Sequence, residues 1–491
     1  MGVSVAIVGS GFSGIGLAIR LRTAGVTDVT VFERAGDLGG VWRDNTYPGA
    51  ACDAPSHLYS YSFEPNPDWS RRFAPQPEIL AYLRRCAAKH GITDDIRFGT
   101  EITGAEFDAA AGRWTLRTAA GEEHTADVLV AACGQLSDPS RPAIPGLDGF
   151  AGRVFHSAEW DHGHDLTGRD VALIGTGASA VQIVPEIAPV TGSLRIFQRE
   201  PHWIGQKWDR EYPGWRLRLN RRLPVLPKLS RFGVFAWFEL LLNPMLVSRR
   251  FRTALSAHVR AMCRTNLRRV RDAATRRRLL PDYELGCKRV LVSSDFYPAL
   301  NLPGVELVTS PITEVTADGP RTADGRLHPA DTIVLATGFR SHDFVAPMRV
   351  TGLDGRDLGD AWKDGARAYL GLAVAGFPNF FLLYGPNTNV GSGSIVHMLE
   401  SQFAYVLQAV RALAQDGVRY MDVREDVLDD FDRRTMERLD GTVWNAGGCE
   451  SWYVLEDGGR RRNTNNWPGS MLGYRLRTRR LDRADFRITA G

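Results

Sequence analysis

The chain has 491 residues, 44% of them hydrophobic and 24% charged, and a formal net charge of +4. This length is too great for one ordinary core and predicts two or three domains, while the composition is that of a soluble globular protein. The small net charge gives no global electrostatic argument for binding nucleic acid.

The cysteines and the N-terminus predict a reducing, cytoplasmic setting. No CxxC occurs, so neither a redox dithiol nor a zinc knuckle is indicated, and we expect reduced thiols. The first apolar run has no basic stretch before it, so we interpret it as a strand and not as a signal peptide. The six cysteines lie at positions 52, 86, 133, 263, 287 and 449.

A glycine-rich loop follows the first predicted strand. The β-branched run over residues 3–8 leads into Gly9-Ser10-Gly11-Phe12-Ser13-Gly14 and then into a helical stretch. Glycines at this spacing permit a tight turn, close approach to a pyrophosphate and close packing of helix on strand. The next strand ends in Glu33, where a carboxylate accepts hydrogen bonds from a ribose. Because a carboxylate repels a 2′-phosphate, the loop predicts FAD or NAD.

Two longer patterns follow along the chain. Residues 39–53 fit GGxWxxxxYPGxxxD without a gap, from Gly39 through Tyr47 to Asp53. Residues 150–161 fit FxGxxxHxxxW followed by an acid, with His156 and Trp160 at the fixed positions. A lone His or Trp in a linker usually serves packing, but patterns with this many fixed positions seldom arise by accident.

A second glycine loop predicts a second nucleotide site. Gly175-Thr176-Gly177-Ala178-Ser179-Ala180 lies between a strand and a helix, with Ala180 in place of the third glycine. The next strand ends in Arg199, where the first unit has its acid, and a guanidinium suits a 2′-phosphate. This contrast predicts NADPH here and FAD at the first loop. Glu200 would weaken phosphate binding if its carboxylate points inward.

The two loops predict an α/β fold with two Rossmann-like dinucleotide-binding domains. The chain is expected to leave the first domain near 128–146 and to return near the strand in 331–341, which makes that domain discontinuous. The boundaries are then 1–140 and 335–491 for the FAD-binding domain, the last part including a closing segment. The NADP-binding domain takes 150–330, with a helical insert at about 205–285.

The insert contains two unusual stretches. The apolar run 232–247 is shorter than the ~20 residues of a membrane span, so we interpret it as a buried or half-buried helix. The alternative is an apolar rim for a greasy substrate or a membrane surface. The arginine-rich run 264–278 is interpreted as a solvated helix face, since no aromatic residues interleave with its charges. Upstream, His162 and His164 resemble a metal pair, but we interpret them as loop residues because no second ligand cluster accompanies them.

With these motifs in place, the chain resembles the flavin-containing monooxygenases, and more specifically the type I Baeyer–Villiger monooxygenases. The resemblance extends from the first glycine loop to residues 451–453. It implies that NADPH reduces the flavin, which adds O₂ to form a C4a-peroxyflavin. The peroxide then attacks a ketone, and the adduct rearranges to an ester or lactone.

The resemblance also implies roles for individual residues. The family's catalytic arginine matches Arg289, whose fixed charge would stabilise the developing oxyanion, and the carboxylate that orients it matches Asp53. His156, with Trp160, would couple the domains. The resemblance places Lys288 near the 2′-phosphate and Trp452 at the nicotinamide end of NADP. Loop patterns and resemblance together give these cofactor-binding residues: Gly9, Gly11, Phe12, Gly14, Glu33, Gly40, Trp42, Asp53, Tyr59, Gly175, Gly177, Ala180, Gln182, Arg199, Lys288 and Trp452.

Several alternatives stay open at this point. Asp53 and Arg289 could form a purely structural ion pair, and His156 could be an ordinary turn residue. The same cofactors could serve oxygenation of nitrogen or sulfur, or a reductase or sensor without oxygenation. Aromatic residues in the loops 340–350, 390–397 and 447–470, among them Phe344, Trp444 and Trp467, suggest a hydrophobic ketone. The oligomeric state cannot be read from the sequence.

Overall fold

The computed structural model describes residues 2–345, 347–415, 417–457 and 460–490. The strands are β1 (Val5–Val8), β2 (Val29–Phe32), β3 (Ile96–Arg97), β4 (Ile102–Asp108), β5 (Arg113–Thr118), β6 (Glu123–Ala126), β7 (Val128–Ala131), β8 (Arg153–His156), β9 (Asp170–Ile174), β10 (Ser193–Phe197), β11 (Ile204–Gly205), β12 (Leu291–Val292), β13 (Val305–Val308), β14 (Ile312–Thr316), β15 (Gly319–Thr322), β16 (Thr332–Leu335), β17 (Arg349–Thr351), β18 (Phe380–Leu382), β19 (Val418–Val423), β20 (Val454–Asp457), β21 (Arg460–Asn463) and β22 (Phe486–Ala490).

The helices are α1 (Phe12–Thr23), α2 (Val41–Asp44), α3 (Gln76–Lys89), α4 (Ala178–Ile187), α5 (Gly214–Arg222), α6 (Val225–Trp237), α7 (Asn243–Val247), α8 (Arg249–Leu267), α9 (Ala273–Arg278), α10 (Phe296–Ala299), α11 (Leu358–Ala361), α12 (Ile395–Gln415), α13 (Glu425–Asp440), α14 (Val443–Ala446) and α15 (Met471–Arg477). A π-helical turn, Phe238–Leu242, joins α6 to α7. Short 3₁₀ turns occupy Thr93–Asp95, Leu147–Gly149, Ser157–Glu159, Leu353–Gly355 and Arg483–Asp485.

The first parallel sheet has the order β18-β7-β1-β2-β3. Its central strand β1 is an almost wholly buried Val-Ala-Ile-Val run, which suits a strand covered on both faces. Helix α1 packs so closely on α12 that a Cβ at Gly16 would lie 2.6 Å from the Phe403 ring. The sheet takes four strands from the N-terminal part of the chain and β18 from far downstream. This arrangement is consistent with a discontinuous first domain, although the division into domains stays a prediction.

The second parallel sheet has the order β13-β10-β9-β16-β8. We expected the strand in 331–341 to begin the return to the first domain, but β16 pairs with β8 and β9 inside the second sheet. The expectation is wrong for this strand. A buried run such as Thr-Ile-Val-Leu fits the centre of either sheet, so the run alone does not determine its partners.

Both glycine loops lie at the carboxyl ends of central strands, between β1 and α1 and between β9 and α4. Gly9 and Gly175 have φ of 107° and 113°, which favours glycine. A Cβ at Gly9 would lie 2.7 Å from the carbonyl oxygen of Ala132, and one at Gly175 would overlap that of Ala336. The two units therefore share one local geometry, as the duplicated sequence pattern predicts.

Helices α5 to α9 form the predicted helical insert between β11 and β12. We expected the apolar run 232–247 to be a buried or half-buried helix. Its inner residues Met245 and Leu246 are buried, but Phe232, Trp237, Leu240 and Leu241 are exposed. The run is therefore half-buried, and its exposed side is apolar, because hydropathy does not reveal whether a second layer covers a helix. No helix in the described ranges is long and apolar enough to cross a membrane.

The loop geometry predicts the effect of adding one methyl group at Gly14. A Cβ at this position would overlap the carbonyl oxygen of Gly9. Overpacking of this kind costs about 1–3 kcal/mol. Gly14→Ala should therefore lower the apparent Tm measured at a fixed scan rate. Gly36→Ala is the matched control, since a Cβ there meets nothing within 4 Å. Equal Tm values for the two variants would contradict this account of the loop.

Candidate active site

The carboxylate of Glu33 lies just beyond β2, beside the first glycine loop. It is buried and accepts hydrogen bonds from the Ser10 amide (3.0 Å) and hydroxyl (2.6 Å), the Ala35 amide (3.0 Å) and Arg43 Nη1 (2.9 Å). Burial raises the pKa of Glu33, but these hydrogen bonds and the Arg43 charge outweigh it and hold the pKa below its ordinary value. The side chain is thus a fixed, ionised acceptor at the predicted ribose position.

Aromatic side chains from the two N-terminal motifs meet beside this loop. Trp42 Nε1 donates to the Tyr59 hydroxyl at 3.0 Å, and the Phe12 ring lies edge-on to Tyr59 at 5.0 Å between centroids. Gly40 has φ of 53°, and a Cβ there would lie 3.2 Å from the Cα of Gly11. The GGxW pattern therefore packs directly on the first glycine loop.

The second loop brings the predicted phosphate-binding residues into one region, with one complication. Arg199 is exposed just beyond β10, and the backbone carbonyl of Glu200 accepts from the Thr176 hydroxyl at 3.2 Å. The Glu200 carboxylate forms an ion pair with the ammonium of Lys288, which is buried. The Glu200 carboxylate therefore points towards Lys288, the residue predicted to bind the 2′-phosphate, and neutralises its charge.

Gln182 joins the two glycine-loop units. Its side-chain oxygen accepts from the Tyr47 hydroxyl at 2.9 Å and the Ala51 amide at 3.4 Å, while its Nε2 donates to the Ala51 carbonyl at 2.9 Å. A Cβ at Gly49 would lie 2.6 Å from the backbone oxygen of Gln182. The YPG motif thus packs on α4. A cofactor contact by Gln182 stays a prediction.

Asp53 and Arg289 form a bidentate ion pair across 236 positions of sequence. Arg289 Nε donates to one carboxylate oxygen and Nη2 to the other, each at 2.8 Å. The Asp53 charge raises the pKa of Arg289 against the opposing effect of burial. Burial raises the pKa of Asp53, but the Arg289 charge and hydrogen bonds, with Lys207, lower it overall. Each group therefore favours the charged form of the other.

Three residues that the sequence did not single out surround this pair. Burial is the main cause that lowers the pKa of Lys207, against the attraction of the nearby Asp209, Cys52 and Asp53. Burial raises the pKa of Tyr453 to about 12 and also raises that of Tyr384, while the Arg289 charge opposes both shifts. Tyr384 has φ of 60°, a conformation that large side chains seldom adopt. None of these features leaves a motif in a single sequence.

A disulfide joins Cys287 to Cys449, 162 positions apart. We expected six reduced thiols, and this is wrong for these two residues, because cysteines far apart in sequence can still meet in the fold. Cys287 lies two residues before Arg289 and Cys449 three before Trp452. The bond therefore links the loop that carries Arg289, the predicted catalytic arginine, to the loop that carries Trp452.

The aromatic residues of the part of the chain after residue 335 differ in their exposure. The Trp452 indole is 38% exposed and lies 4.4 Å from the Tyr453 ring, and its contact with nicotinamide stays a prediction. Phe344, Trp444 and Trp467, whose presence in the loops suggested a hydrophobic ketone, are all buried in the fold. Trp444, for example, packs against the Tyr453 ring, and Trp467 Nε1 donates to the Ser470 carbonyl at 3.1 Å. Aromatic content alone does not distinguish a packed loop from a pocket wall.

His156 is the last residue of β8, and Trp160 follows the 3₁₀ turn after it. The buried His156 ring accepts a hydrogen bond from the Ala158 amide at 3.1 Å and lies edge-on to the Phe339 ring. The backbone of Phe339 forms an antiparallel β-bridge with Pro139. Trp160 packs edge-on to Phe155 at 5.1 Å. This position suits the predicted coupling of the domains, which stays a prediction.

The other histidine motif, His162 and His164, makes hydrogen bonds to two threonine hydroxyls. His162 hydrogen-bonds to the Thr46 hydroxyl and His164 to that of Thr332. Across the part of the chain that the structure describes, no group of three or more His, Cys, Asp or Glu side chains is placed to hold a metal ion.

Both glycine loops fit the phosphates of a dinucleotide. Helices α1 and α4 have Gly11 and Gly177 as their N-cap residues and no side-chain cap, so their first N–H groups can bind an anion. The cradles at Gly9 and Gly175 are ones that a Cβ would fill. With Glu33 beside the first loop and Arg199 beside the second, the residues fit FAD and NADP respectively.

Comparisons with known proteins agree with this geometry. The flavin-binding monooxygenase-like family matches residues 2–240. A Baeyer–Villiger monooxygenase of Streptomyces coelicolor is 46% identical, covering 99% of this chain and 92% of that protein. One of Pseudomonas aeruginosa is 42% identical, over 99% and 91%.

Solved structures match over the whole length as well. The closed crystal structure of cyclohexanone monooxygenase gives a TM-score of 0.88 at 27% identity, covering 100% of this chain and 99% of that one. Oxidised steroid monooxygenase bound to NADP gives 0.87 at 32% identity over the same shares. A complex of OTEMO with FAD and NADP gives 0.87 at 28% identity, over 99% of each chain.

The chain therefore belongs to the flavin-binding monooxygenase family. Within this family it is an FAD- and NADPH-dependent monooxygenase of the Baeyer–Villiger type.

The disulfide predicts the number of reactive thiols. Cys52, Cys86, Cys133 and Cys263 are free, so thiol titration of the non-reduced protein in denaturant should give four per chain. After full reduction the count should rise to six. Replacing both Cys287 and Cys449 with Ser should give four thiols before and after reduction. Six thiols in the non-reduced wild-type protein would show that the pair is not bonded in solution.

Proposed function

We propose that this monooxygenase inserts one oxygen atom from O₂ beside the carbonyl of a hydrophobic ketone, giving an ester or lactone, with Arg289 and Asp53 as its central residues. The observation that carries the proposal is the bidentate Asp53–Arg289 pair. It joins the GGxW…D motif, which packs on the FAD loop, to the segment that also carries Lys288. The pair thus lies between the residues that we assign to the two cofactors.

The geometry leaves Arg289 able to act on a reacting oxygen. Nε and Nη2 are used by Asp53, whereas Nη1 makes no hydrogen bond to the described residues. A planar guanidinium held by two bonds presents its remaining N–H groups in a fixed direction, and it keeps its charge when partly buried. Stabilisation of developing negative charge by such a preorganised donor accelerates the chemical step.

The cofactors supply the redox chemistry, and the protein binds and orients them. FAD, when bound, accepts a hydride from NADPH and transfers electrons to O₂. We assign its pyrophosphate to Gly9–Gly14, its ribose to Glu33, and its ring system to the side of Trp42 and Tyr59. For NADPH we assign the pyrophosphate to Gly175–Ala180, the 2′-phosphate to Arg199 and Lys288, and the nicotinamide end to Trp452.

The ketone class is supported by similarity and by charge. The structural neighbours include enzymes named for cyclohexanone and steroids, both apolar molecules. A ketone needs a cation at the oxygen that becomes negative, whereas a nucleophilic amine or sulfide does not. Oxygenation of nitrogen or sulfur is therefore the outcome that would displace this proposal.

We also propose a cytoplasmic location. The four free thiols, Cys52, Cys86, Cys133 and Cys263, are typical of a reducing compartment. Cys287 and Cys449 are the exception, and both are buried, which limits access for a reducing thiol. Fractionation of the producing cells tests the assignment, and recovery in a secreted or periplasmic fraction would contradict it.

Removing the guanidinium should separate flavin reduction from oxygen insertion. Arg289→Ala should lower the rate of ester formation by about 10²–10³-fold, the usual cost of losing a preorganised donor, while NADPH still reduces the flavin. Asp53→Asn should give a milder defect with more hydrogen peroxide per NADPH, because Arg289 loses its orienting partner. The measurement is ester yield per NADPH consumed, together with stopped-flow flavin reduction.

Arg349→Ala is the matched control for this experiment. Arg349 pairs with Asp357 at 2.8 Å on the protein surface, away from either glycine loop, so its loss should leave the ester yield unchanged. If Arg289→Ala kept the wild-type ester yield, the proposed role of Arg289 would be wrong. Product from amines or sulfides alone would favour heteroatom oxygenation.

Cofactor preference should respond in opposite directions at two adjacent positions. Arg199→Ala should raise the KM for NADPH and leave that for NADH unchanged, since a charge-assisted hydrogen bond contributes about 1.5–3 kcal/mol. Glu200→Thr should lower the KM for NADPH, because it frees the Lys288 ammonium from its ion pair. NADH is the internal control, as it lacks the 2′-phosphate. Equal effects on both cofactors would show that neither residue acts through the phosphate.

A further inference from the structure

The outer side of helices α5 and α6 carries a continuous series of exposed apolar side chains. Trp215 is 62% exposed, Phe232 67% and Leu240 70%. Folded proteins rarely leave many large apolar side chains exposed together unless they mark an interaction surface. We call these residues the outer apolar face; its exposed members are Trp215, Leu219, Leu223, Val225, Leu229, Phe232, Trp237, Leu240 and Leu241.

The spacing of these residues shows that they share a side of each helix. Along α5 and its C-cap residue, Trp215, Leu219 and Leu223 follow one another at intervals of four. On α6, Val225, Leu229 and Phe232 follow at intervals of four and three. Both intervals place side chains on one helical face. The arrangement is that of amphipathic helices with their apolar side turned outward.

The opposite side of α6 is fixed to the protein. Arg231 Nη1 donates to the backbone carbonyls of Leu58 (3.0 Å) and Ser60 (2.5 Å), on either side of Tyr59. The Phe235 ring packs on His397 at 4.8 Å between centroids. The outer apolar face is therefore exposed because the other side of the helix is already used for packing.

The segment that carries this face is strongly basic. Residues 214–241, which contain every member of the face, have six Lys and Arg and a single acid, Glu239, for a formal charge of +5. The other residues contain 54 basic and 55 acidic side chains, for a charge of −1. The Glu239 carboxylate accepts from the Met471 and Leu472 amides, so it is directed at the start of α15. Exposed Arg218 and Arg222 follow Trp215 at i+3 and i+7, along the border of the apolar side.

We propose that the outer apolar face docks this enzyme on the surface of an anionic lipid bilayer. Helices that bind in the plane of a membrane combine an apolar face with Lys and Arg at its border. The apolar side chains insert among the acyl chains, and the basic ones bind the anionic headgroups. Leu472 on α15, whose amide donates to Glu239, is also exposed, as is Leu476 one turn further along the same helix.

Charge favours a lipid surface over a second copy of the chain. Two copies docked face to face would bring two segments of +5 together, and like charges at close range destabilise such a contact. An anionic bilayer supplies the opposite charge over its whole surface. The same charge pattern makes the docking sensitive to ionic strength.

Sedimentation with sucrose-loaded vesicles tests the proposal on the FAD-bound enzyme. Vesicles of phosphatidylcholine alone are compared with vesicles that contain roughly one-third phosphatidylglycerol, a fraction that gives a clearly negative surface. The wild-type enzyme should pellet with the anionic vesicles and at least tenfold more weakly with the neutral ones. Added salt should release it.

Two matched pairs of variants separate the apolar and basic contributions. Phe232→Glu with Leu240→Glu should lower anionic-vesicle binding at least tenfold, whereas Val190→Glu with Leu302→Glu, at exposed apolar positions outside the insert, should leave it unchanged. The basic set should lower the preference for anionic vesicles, and its control set should not. The basic set is Arg218→Gln, Arg222→Gln and Lys228→Gln, and its exposed control set is Arg85→Gln, Lys363→Gln and Arg487→Gln.

The controls make the outcome decisive. NADPH oxidation without vesicles should be equal in all variants, which shows that they fold and bind both cofactors. The proposal is overturned if the wild-type enzyme pellets with neither vesicle, or if the two glutamate pairs bind equally well. It is also overturned if light scattering shows a wild-type dimer that Phe232→Glu with Leu240→Glu converts to a monomer, because a second copy then covers the face.

Discussion

The pairing of Asp53 with Arg289 is the constraint on which the site depends. Its two residues come from segments 236 positions apart, and both of their hydrogen bonds have a donor–acceptor distance of 2.8 Å. Bidentate geometry tolerates little displacement, so the two glycine-loop units must be held in a narrow range of positions. The Tyr47–Gln182–Ala51 hydrogen bonds act at this boundary. The Cys287–Cys449 disulfide fixes the arginine loop to the closing segment.

Local signals in the sequence predict the geometry of the two glycine-loop units well, because this geometry is short-range. A strand, a glycine loop, a helix and a terminal acid or base fix one another within about thirty residues. The structure accordingly places Glu33 beside the first loop and Arg199 just beyond the strand that follows the second. Family resemblance added the one long-range contact that spacing could not supply, between Asp53 and Arg289.

The features that the sequence did not predict depend on which segments meet in space. Strand β16 has the same character as a strand of either sheet, and only its pairing with β8 and β9 decides between them. Cys287 and Cys449 approach each other only because two distant loops meet. The aromatic content of three loops suggested a hydrophobic substrate, but Phe344, Trp444 and Trp467 are buried. Composition does not report the direction of a side chain. The sequence indicates that Glu200 would weaken phosphate binding, but only the fold shows that its partner is Lys288.

The approach of Gly49 to α4 has a consequence for how this architecture can evolve. Gly49 belongs to the motif that packs on the first loop, yet its lack of a side chain is required by the Gln182 backbone of the other unit. A chimera that joins this N-terminal unit to the nucleotide unit of a relative must therefore keep the backbone position of α4 as well as the interface side chains. Recombination between such enzymes is limited by main-chain geometry, and amino-acid identity at the junction is an incomplete guide to whether two halves are compatible.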